Sequence, residues 1–444
     1  MSSVSVVAAQ SVEISGLPSP GAAGQIVGTV AGVNPSTHEV AAYLYVEGGG
    51  WWTKPTSGMP TVPINPDGSF SVGIGTGGLD ELASMYAVSV VPSGTTPPLM
   101  QSSNTLDLGA DSLASIYKQR FGTVLEFAGR SWGVKEATLP VGPGGNLFSA
   151  NPNDAWVDQD GLHLTIQNHG GQWYSTEVVL TENLGFGTYV LQTSSRQDIL
   201  DANATFGAFT WDPFGDDERI PLWPNREIDF EDTRWGDPLS VTNAQTVVQP
   251  YWAPGALNEF TLPDLSDDAA LTRFFTWSPG RVEFYTLLGH RQPGSFPAEA
   301  VIDHYVYTEN LAFGQVVPEP GRENFRFNLW LNDSAPSDGQ PVEVVVDNFQ
   351  FIPFLRGDFD LDGDVDGKDF LIWQRGESPN PLSASELSDW EMNYGTPAST
   401  STTVSTAIPE PTLPILLFAL AMVSTAGPFA RQRHWSVNGR LKNS

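Results

Sequence analysis

The chain has no cysteine and few basic residues. Its 21 Lys and Arg stand against 51 Asp and Glu, a formal net charge of -30 over 444 residues. Without cysteine no disulfide contributes to the fold, and that leaves the compartment open, because a large β domain can do without such staples. The shortage of positive charge argues against nucleic acid and anionic membrane surfaces as partners; it is compatible with cation binding and with a soluble exported protein. Long helical periodicities are also scarce. Gly (44), Pro (35), Phe (24) and Trp (14) are abundant instead, a composition that suits β-rich, turn-rich folds with aromatic surfaces. The length accommodates two or three domains.

The most informative segment is Glu227-Ile228-Asp229-Phe230-Glu231. Side chains alternate faces along a strand, so the three acids share one face, and Ile228 and Phe230 share the other. Carboxylates side by side resist joint ionisation. Something must offset that cost: a metal, a base, or a reaction that uses a protonated and an ionised carboxyl together, such as glycosidic hydrolysis. A calcium site or a solvated edge strand are the other readings of such a row.

Three folded regions emerge along the chain. Residues 11–92 alternate apolar and polar in short runs broken by turn signals such as Pro66-Asp67-Gly68, which predicts an accessory β-sandwich. Tyr43, Tyr45, Trp51 and Trp52 in this region offer either a sugar-stacking platform or core aromatics, and the core reading is favoured. Residues 93–116 are expected to be a linker ending in a short helix. Residues 117–353 carry recurrent strand-like segments, among them Phe325-Arg326-Phe327-Asn328-Leu329-Trp330, and predict one large two-sheet sandwich.

This second region resembles glycoside hydrolase family 16. The resemblance rests on the E-x-D-x-E run at 227–231, on Ser131-Trp132-Gly133-Val134-Lys135 and residues 151–164 as opening strands, and on Phe186-Gly187-Thr188-Tyr189. Trp223-Pro224 ahead of the acidic run and Trp277-Ser278-Pro279 followed by Val282-Glu283-Phe284-Tyr285 complete it. The resemblance implies a laminarinase- or lichenase-like, concanavalin-like β-jelly roll whose concave face is the glycan cleft. It also implies a retaining mechanism with Glu227 as nucleophile, Glu231 as general acid/base and Asp229 tuning the nucleophile. In an ideal strand residues i and i+4 stand about 13 Å apart, whereas retaining carboxyls want about 5–5.5 Å, so the strand must curve and the Glu side chains lean together. Some members carry a bulged strand with the acid one residue later; Asp232 stands there, which favours the unbulged reading with Glu231. Trp223, Trp235, Trp252, Tyr251 and Trp211 are the candidate sugar-binding aromatics, with Trp132 behind them, and the loop 212–219 is placed to wall one end of the cleft.

Asp358-Phe359-Asp360-Leu361-Asp362-Gly363-Asp364-Val365-Asp366-Gly367-Lys368-Asp369 has oxygen ligands at loop positions 1, 3, 5, 9 and 12 and Gly at position 6. That spacing is an EF-hand calcium loop, with Asp364 at position 7 offering its carbonyl. Residues 357–376 resemble the first half of a type I dockerin repeat. Residues 382–395 look like the second helix, with no second Asp-rich run before it. A module over 354–396 with one calcium site is therefore expected, and a cohesin-type partner follows from the resemblance.

After a Ser/Thr linker at 397–407, residues 408–434 resemble a PEP-CTERM sorting signal: Ile408-Pro409-Glu410-Pro411, an uncharged run over 412–430, then Arg431 and Arg433. The run just reaches the roughly 20 residues that span a bilayer, so a transmembrane helix is expected there. An exported protein, at the cell surface or extracellular and transiently anchored by this tail, follows. Residues 1–10 make a poor signal peptide, so one is expected upstream of Met1. The combined expectation is an exported endo-acting hydrolase of β-linked glucan or galactan that needs no cofactor for catalysis. A non-catalytic carbohydrate-binding surface protein and a transglycosylase on the same fold are the alternatives.

Overall fold

The structure is a computed structural model that describes residues 9–397, apart from positions 20, 47–48, 100–105, 216 and 267–269. The linker from 398 onward and the 408–434 tail lie outside the described residues. Among the described residues no helix is long and apolar enough to cross a membrane. The fold is mainly β throughout, with two short α-helices near the C-terminal end of the described chain.

The large sandwich is built from two sheets. The first runs in the order Thr123–Phe127, Arg130–Val134, Gln172–Leu180, Asn324–Leu331, Ala204–Trp211, Ile228–Asp232, Ala244–Val248 and Leu257–Phe260. The second runs Ala155–Val157, Leu162–His169, Val342–Pro353, Gly187–Thr193, Leu271–Ser278, Arg281–Leu288 and Val301–Thr308. Strand Leu162–His169 joins the two, since its first half pairs in the second sheet and its end pairs with Gln172–Leu180. The result is a nearly closed, almost wholly antiparallel jelly roll. Strict alternation explains which side chains meet between the sheets. Ile228, Phe230, Phe325, Phe327 and Leu329 turn inward from the first sheet onto Tyr189, Phe275, Phe284 and Phe349 from the second. Trp132 is fully buried in this core, stacked on Phe327 with ring centroids 5.2 Å apart. It is packing, behind the cleft.

Residues 11–92 form the smaller sandwich. One sheet is Ser11–Gly16, Gln25–Ala31 and Ser69–Gly73; the other is Gly50–Lys54, His38–Val46 and Met85–Pro92, with Thr61–Pro63 on its edge. Val40, Ala42 and Leu44 face the first sheet. Ala41, Tyr43, Tyr45 and Trp51 lie on the opposite face and are buried as well, against Met85 and Phe214. These three aromatics are core, and Trp52 alone of the four is exposed.

The domain junction differs from the sequence expectation. Residues 114–119, expected to be the helical end of a linker and the start of the second region, are the strand Ala114–Gln119. It pairs with Met85–Pro92 as the last strand of the small sandwich. Alternation of Ile116 with Tyr117 serves its two buried faces, a pattern the short segment shares with an amphipathic helix turn. Only residues 120–122 separate this strand from Thr123–Phe127 of the jelly roll.

Asp232, next to the acidic run, turns between the sheets and makes a bidentate ion pair with Arg273, at 2.6 and 2.7 Å. Both residues are buried. Removing one partner leaves the other charge buried and unpaired, so Asp232→Ala is expected to cost about 3–5 kcal/mol, read as a lower urea midpoint of the whole chain; an unchanged midpoint refutes this.

Candidate active site

The acidic strand Ile228–Asp232 pairs in unbroken register with Ala204–Trp211 on one side and Ala244–Val248 on the other. No bulge intervenes, so Glu227, Asp229 and Glu231 all project from the face opposite Phe230. They form part of the floor of one cavity of about 580 Å³ on the first sheet. Asp229 is buried, and the two Glu are half-buried.

Each acid has its own partner. Trp223 Nε1 donates to Glu227 Oε2. Gln249 Nε2 donates to Asp229 Oδ2 at 3.2 Å, and Gln245 Nε2 donates to Glu231 Oε2 at 2.6 Å. Gln245 is itself held by Trp235, whose indole N–H reaches its Oε1 at 3.1 Å. Gln245 stands directly opposite Glu231 in the ladder, and Gln249, just past the end of the same strand, donates its backbone N–H to Glu227 O at 3.1 Å.

Burial and mutual repulsion push all three acids upward. Desolvation lifts Glu227 to about 8, against the Trp223 hydrogen bond and with a further rise from Glu231. Desolvation lifts Glu231 to about 7, opposed by Gln245 and reinforced by Asp232. Asp229 rises well above the carboxylate range for the same reason, with the charges of Glu227 and Glu231 adding to it. The hydrogen bonds to the two Glu differ. Glu227 receives both the Trp223 N–H and a bond from Asp229, which favour its charged form, and Arg326 acts in the same direction. A proton held by Asp229 is therefore directed at Glu227. Glu231 lacks these donors and is held by the single amide of Gln245.

The aromatic residues fall into two groups. Trp223, Trp252 and Tyr251 meet edge to face, with centroids 5.8 and 5.0 Å apart, and the last two are exposed. Trp235 is exposed on the other side of the acids and packs against Trp330 at 6.0 Å. Trp211 and Trp223 line the cavity, whereas Trp235, Tyr251 and Trp252 are not part of its lining. The loop after Trp211 contributes Pro213 to the cavity wall, and Asp212 is tied to Arg226 at 2.5 Å beneath it.

Sequence reasoning missed a second polar cluster on the same floor. Glu177 lies between Lys135 Nζ, at 2.9 Å, and Arg326 Nη1, at 2.7 Å. Burial works against its charge, yet Lys135 and Arg326 together more than offset that and hold its pKa below the ordinary range. Asn328 follows in register, between Glu177 and Gly207, which in turn pairs with Glu231. The signal was available in one strand, where Arg326, Asn328 and Trp330 alternate with Phe325, Phe327 and Leu329. What it lacked was the pairing that brings Glu177 and Lys135 alongside.

The raised acids have a measurable consequence. A Glu whose folded pKa lies above its ordinary 4.5 contributes stability that is present below pH 4.5 and lost as pH rises through about 7. Glu231→Gln removes that loss. The variant is expected to melt about 2–8 °C above the unaltered protein at pH 8, with the difference vanishing near pH 4.5; equal melting curves at both pH values would contradict the raised pKa.

No known family profile matches the chain, and no curated protein does. Solved structures resemble about half of it. An immunostimulatory antigen and pseudo β-1,3-glucanase of Mycobacterium tuberculosis is 19% identical, covers 49% of this chain and 88% of its own, and has a TM-score of 0.36. A laminarinase from Flavobacterium sp. UMI-01 is 10% identical over 50% of this chain and 92% of its own, at 0.36. A Bacteroides ovatus mixed-linkage glucan enzyme of glycoside hydrolase family 16, solved with a G4G4G3G product, is 16% identical over 50% and 94%, at 0.35. Overlaps this loose do not assign the chain to a family.

Proposed function

We propose that the protein is a retaining glycoside hydrolase acting on β-linked glucan or galactan. The observation that carries this reading is the row Glu227, Asp229, Glu231 at the floor of one cavity, with a different hydrogen-bond partner for each acid. Glu227 attacks the anomeric carbon as Glu231 gives its proton to the departing glycosidic oxygen. Glu231, now ionised, takes a proton from water; the water oxygen attacks the anomeric carbon and releases Glu227. Asp229 holds the nucleophile and spreads its charge. Trp223, Trp252, Tyr251, Trp235 and Trp211 offer faces on which sugar rings stack. The test is reducing-sugar release by the full chain across β-glucans and galactans. Glu227→Gln is expected to lose about 10³-fold or more, and the rate of the unaltered protein to fall as pH rises through about 7 to 8, where the Glu227–Glu231 pair gives up the proton the leaving oxygen needs. Release that survives Glu227→Gln undiminished would sink the assignment, and polymer binding without release by either protein would favour the carbohydrate-binding alternative.

We also propose that the 354–396 module binds one calcium ion. Asp358, Asp360 and Asp362 present carboxylate oxygens within 4.8 Å of one another, as do Asp364, Asp366 and Asp369. One oxygen each of Asp358, Asp360 and Asp364 is buried without a partner. Desolvation and neighbouring acids, Asp369 for the first and Asp362 for the second, push Asp358 to about 7 and Asp360 to about 6. A divalent cation relieves that crowding. Gly363 has φ of 92°, the left-handed turn that position 6 needs. Helices Gly367–Arg375 and Ala384–Asn393 pack through Phe370 and Trp390, whose indole N–H donates to Asp366 O at 2.7 Å. The ion would thus brace the loop against both helices, and the dockerin-like form supports a cohesin-type partner. Calorimetry is expected to find one site that Asp358→Ala weakens by at least tenfold; two equally tight sites would refute it. The 408–434 signature supports export and transient anchoring as part of the same proposal.

A further inference from the structure

The cavity that holds the acids is not bounded by the jelly roll alone. Glu81, Ser84 and Met85 of the small sandwich, with Arg120 at the junction, line it together with Lys135 and Arg326. Three features hold this contact together. The junction is only three residues long, and its Phe121 ring occupies the space a side chain at Gly133 would take, 2.2 Å from an added Cβ. Arg120 is clamped on the sandwich side: its backbone N–H donates to Ser84 O at 2.9 Å, and its guanidinium to Glu81 O at 2.7 Å and Tyr86 Oη at 3.1 Å. Third, the loop that follows Trp211 docks in the other direction. Phe214 is buried among Tyr45, Trp51 and Tyr117, 4.5 Å from the Tyr117 ring, and the Arg322 guanidinium lies 4.1 Å from that same ring.

The wall stands beside the Lys135–Glu177–Arg326 cluster, whose Arg326 also reaches Gln119 of the sandwich strand, at 3.5 Å. That end of the floor carries unsatisfied polar atoms. Arg326 Nε and Asn328 Oδ1 are buried without partners, and Asn328 leans over Gly207, where an added Cβ would lie 2.4 Å from its Oδ1. The cavity volume of about 580 Å³ lies within the usual small-ligand range of about 300–1,000 Å³.

We propose that the N-terminal sandwich closes the glycan cleft at the Lys135–Glu177–Arg326 end, so that the site takes short β-linked oligosaccharides or a chain terminus and not the interior of a polymer. This rests on the glycosidase reading and narrows its substrate class, replacing the endo-acting expectation. Binding tests it apart from turnover. Full-length Glu227→Gln is titrated calorimetrically with β-1,3-, β-1,4- and mixed-linkage gluco-oligosaccharides of two to eight sugars and with the parent polymers. A closed cleft makes affinity stop rising at about three to four sugars, with polymers binding no tighter per chain end. Affinity that climbs through eight sugars, with tighter polymer binding, overturns the closed cleft while leaving the hydrolase intact. Binding by no oligosaccharide overturns both. In the active protein, Phe214→Ala and, separately, Arg120→Ala loosen the wall; each is expected to raise viscosity loss per bond cleaved at least fivefold while near-ultraviolet circular dichroism stays native. A native, active variant pair with an unchanged ratio overturns the proposal.

Discussion

Everything at the centre of this molecule is arranged around the cost of placing three carboxyls on one face of one strand. Repulsion and desolvation both act against their ionised forms, and all three are raised in consequence. The strand stays in place because its other face is strongly apolar: Ile228 and Phe230 sit in the aromatic core between the sheets. Burial of such side chains contributes about 1.5–3 kcal/mol each, which works against the cost of the acids on the opposite face. The fourth acid, Asp232, falls on the inner face by the same alternation, where Arg273 neutralises it. One residue of slip would exchange these environments, putting two Glu into the core. The two flanking strands exclude that slip through continuous pairing.

Around the row, partners are graded. Glu227 is surrounded by groups that favour its charge, and Glu231 has a single amide donor. That asymmetry gives two like residues different surroundings. The second cluster follows the opposite rule, since Glu177 is flanked by two cations and stays ionised despite complete burial. The floor therefore runs from a proton-holding end to a fixed-charge end within one sheet, and the small sandwich stands over the fixed-charge end. Its aromatic face, buried twice over by its own strands and by Phe214, is what makes the two sandwiches a single body at the cleft.

The sequence by itself determined the β class, the small and large sandwiches, the acidic row and the Asp-rich loop, because each is written in local periodicity or fixed spacing. Period two put Glu227, Asp229 and Glu231 on one face before any fold was known, and position 6 of the Asp-rich loop required its glycine. The described chain ends at 397, so the tail's reading remains one of spacing alone. Local pattern failed at residues 114–119, where six residues alternate in a way that suits helix or strand equally; the choice was made by an open strand edge at Met85–Pro92, about 24–34 residues away in the chain. It also could not divide the aromatics. Trp132 and Trp211 look alike in sequence, but one is core and the other cleft lining. Only the tertiary structure brought Lys135, Glu177, Arg326 and Asn328 to one floor and set Glu81 and Arg120 above it. That lining gathers residues as much as 245 positions apart, from 81 to 326, and such gathering depends on strand register and domain docking, which no local pattern encodes.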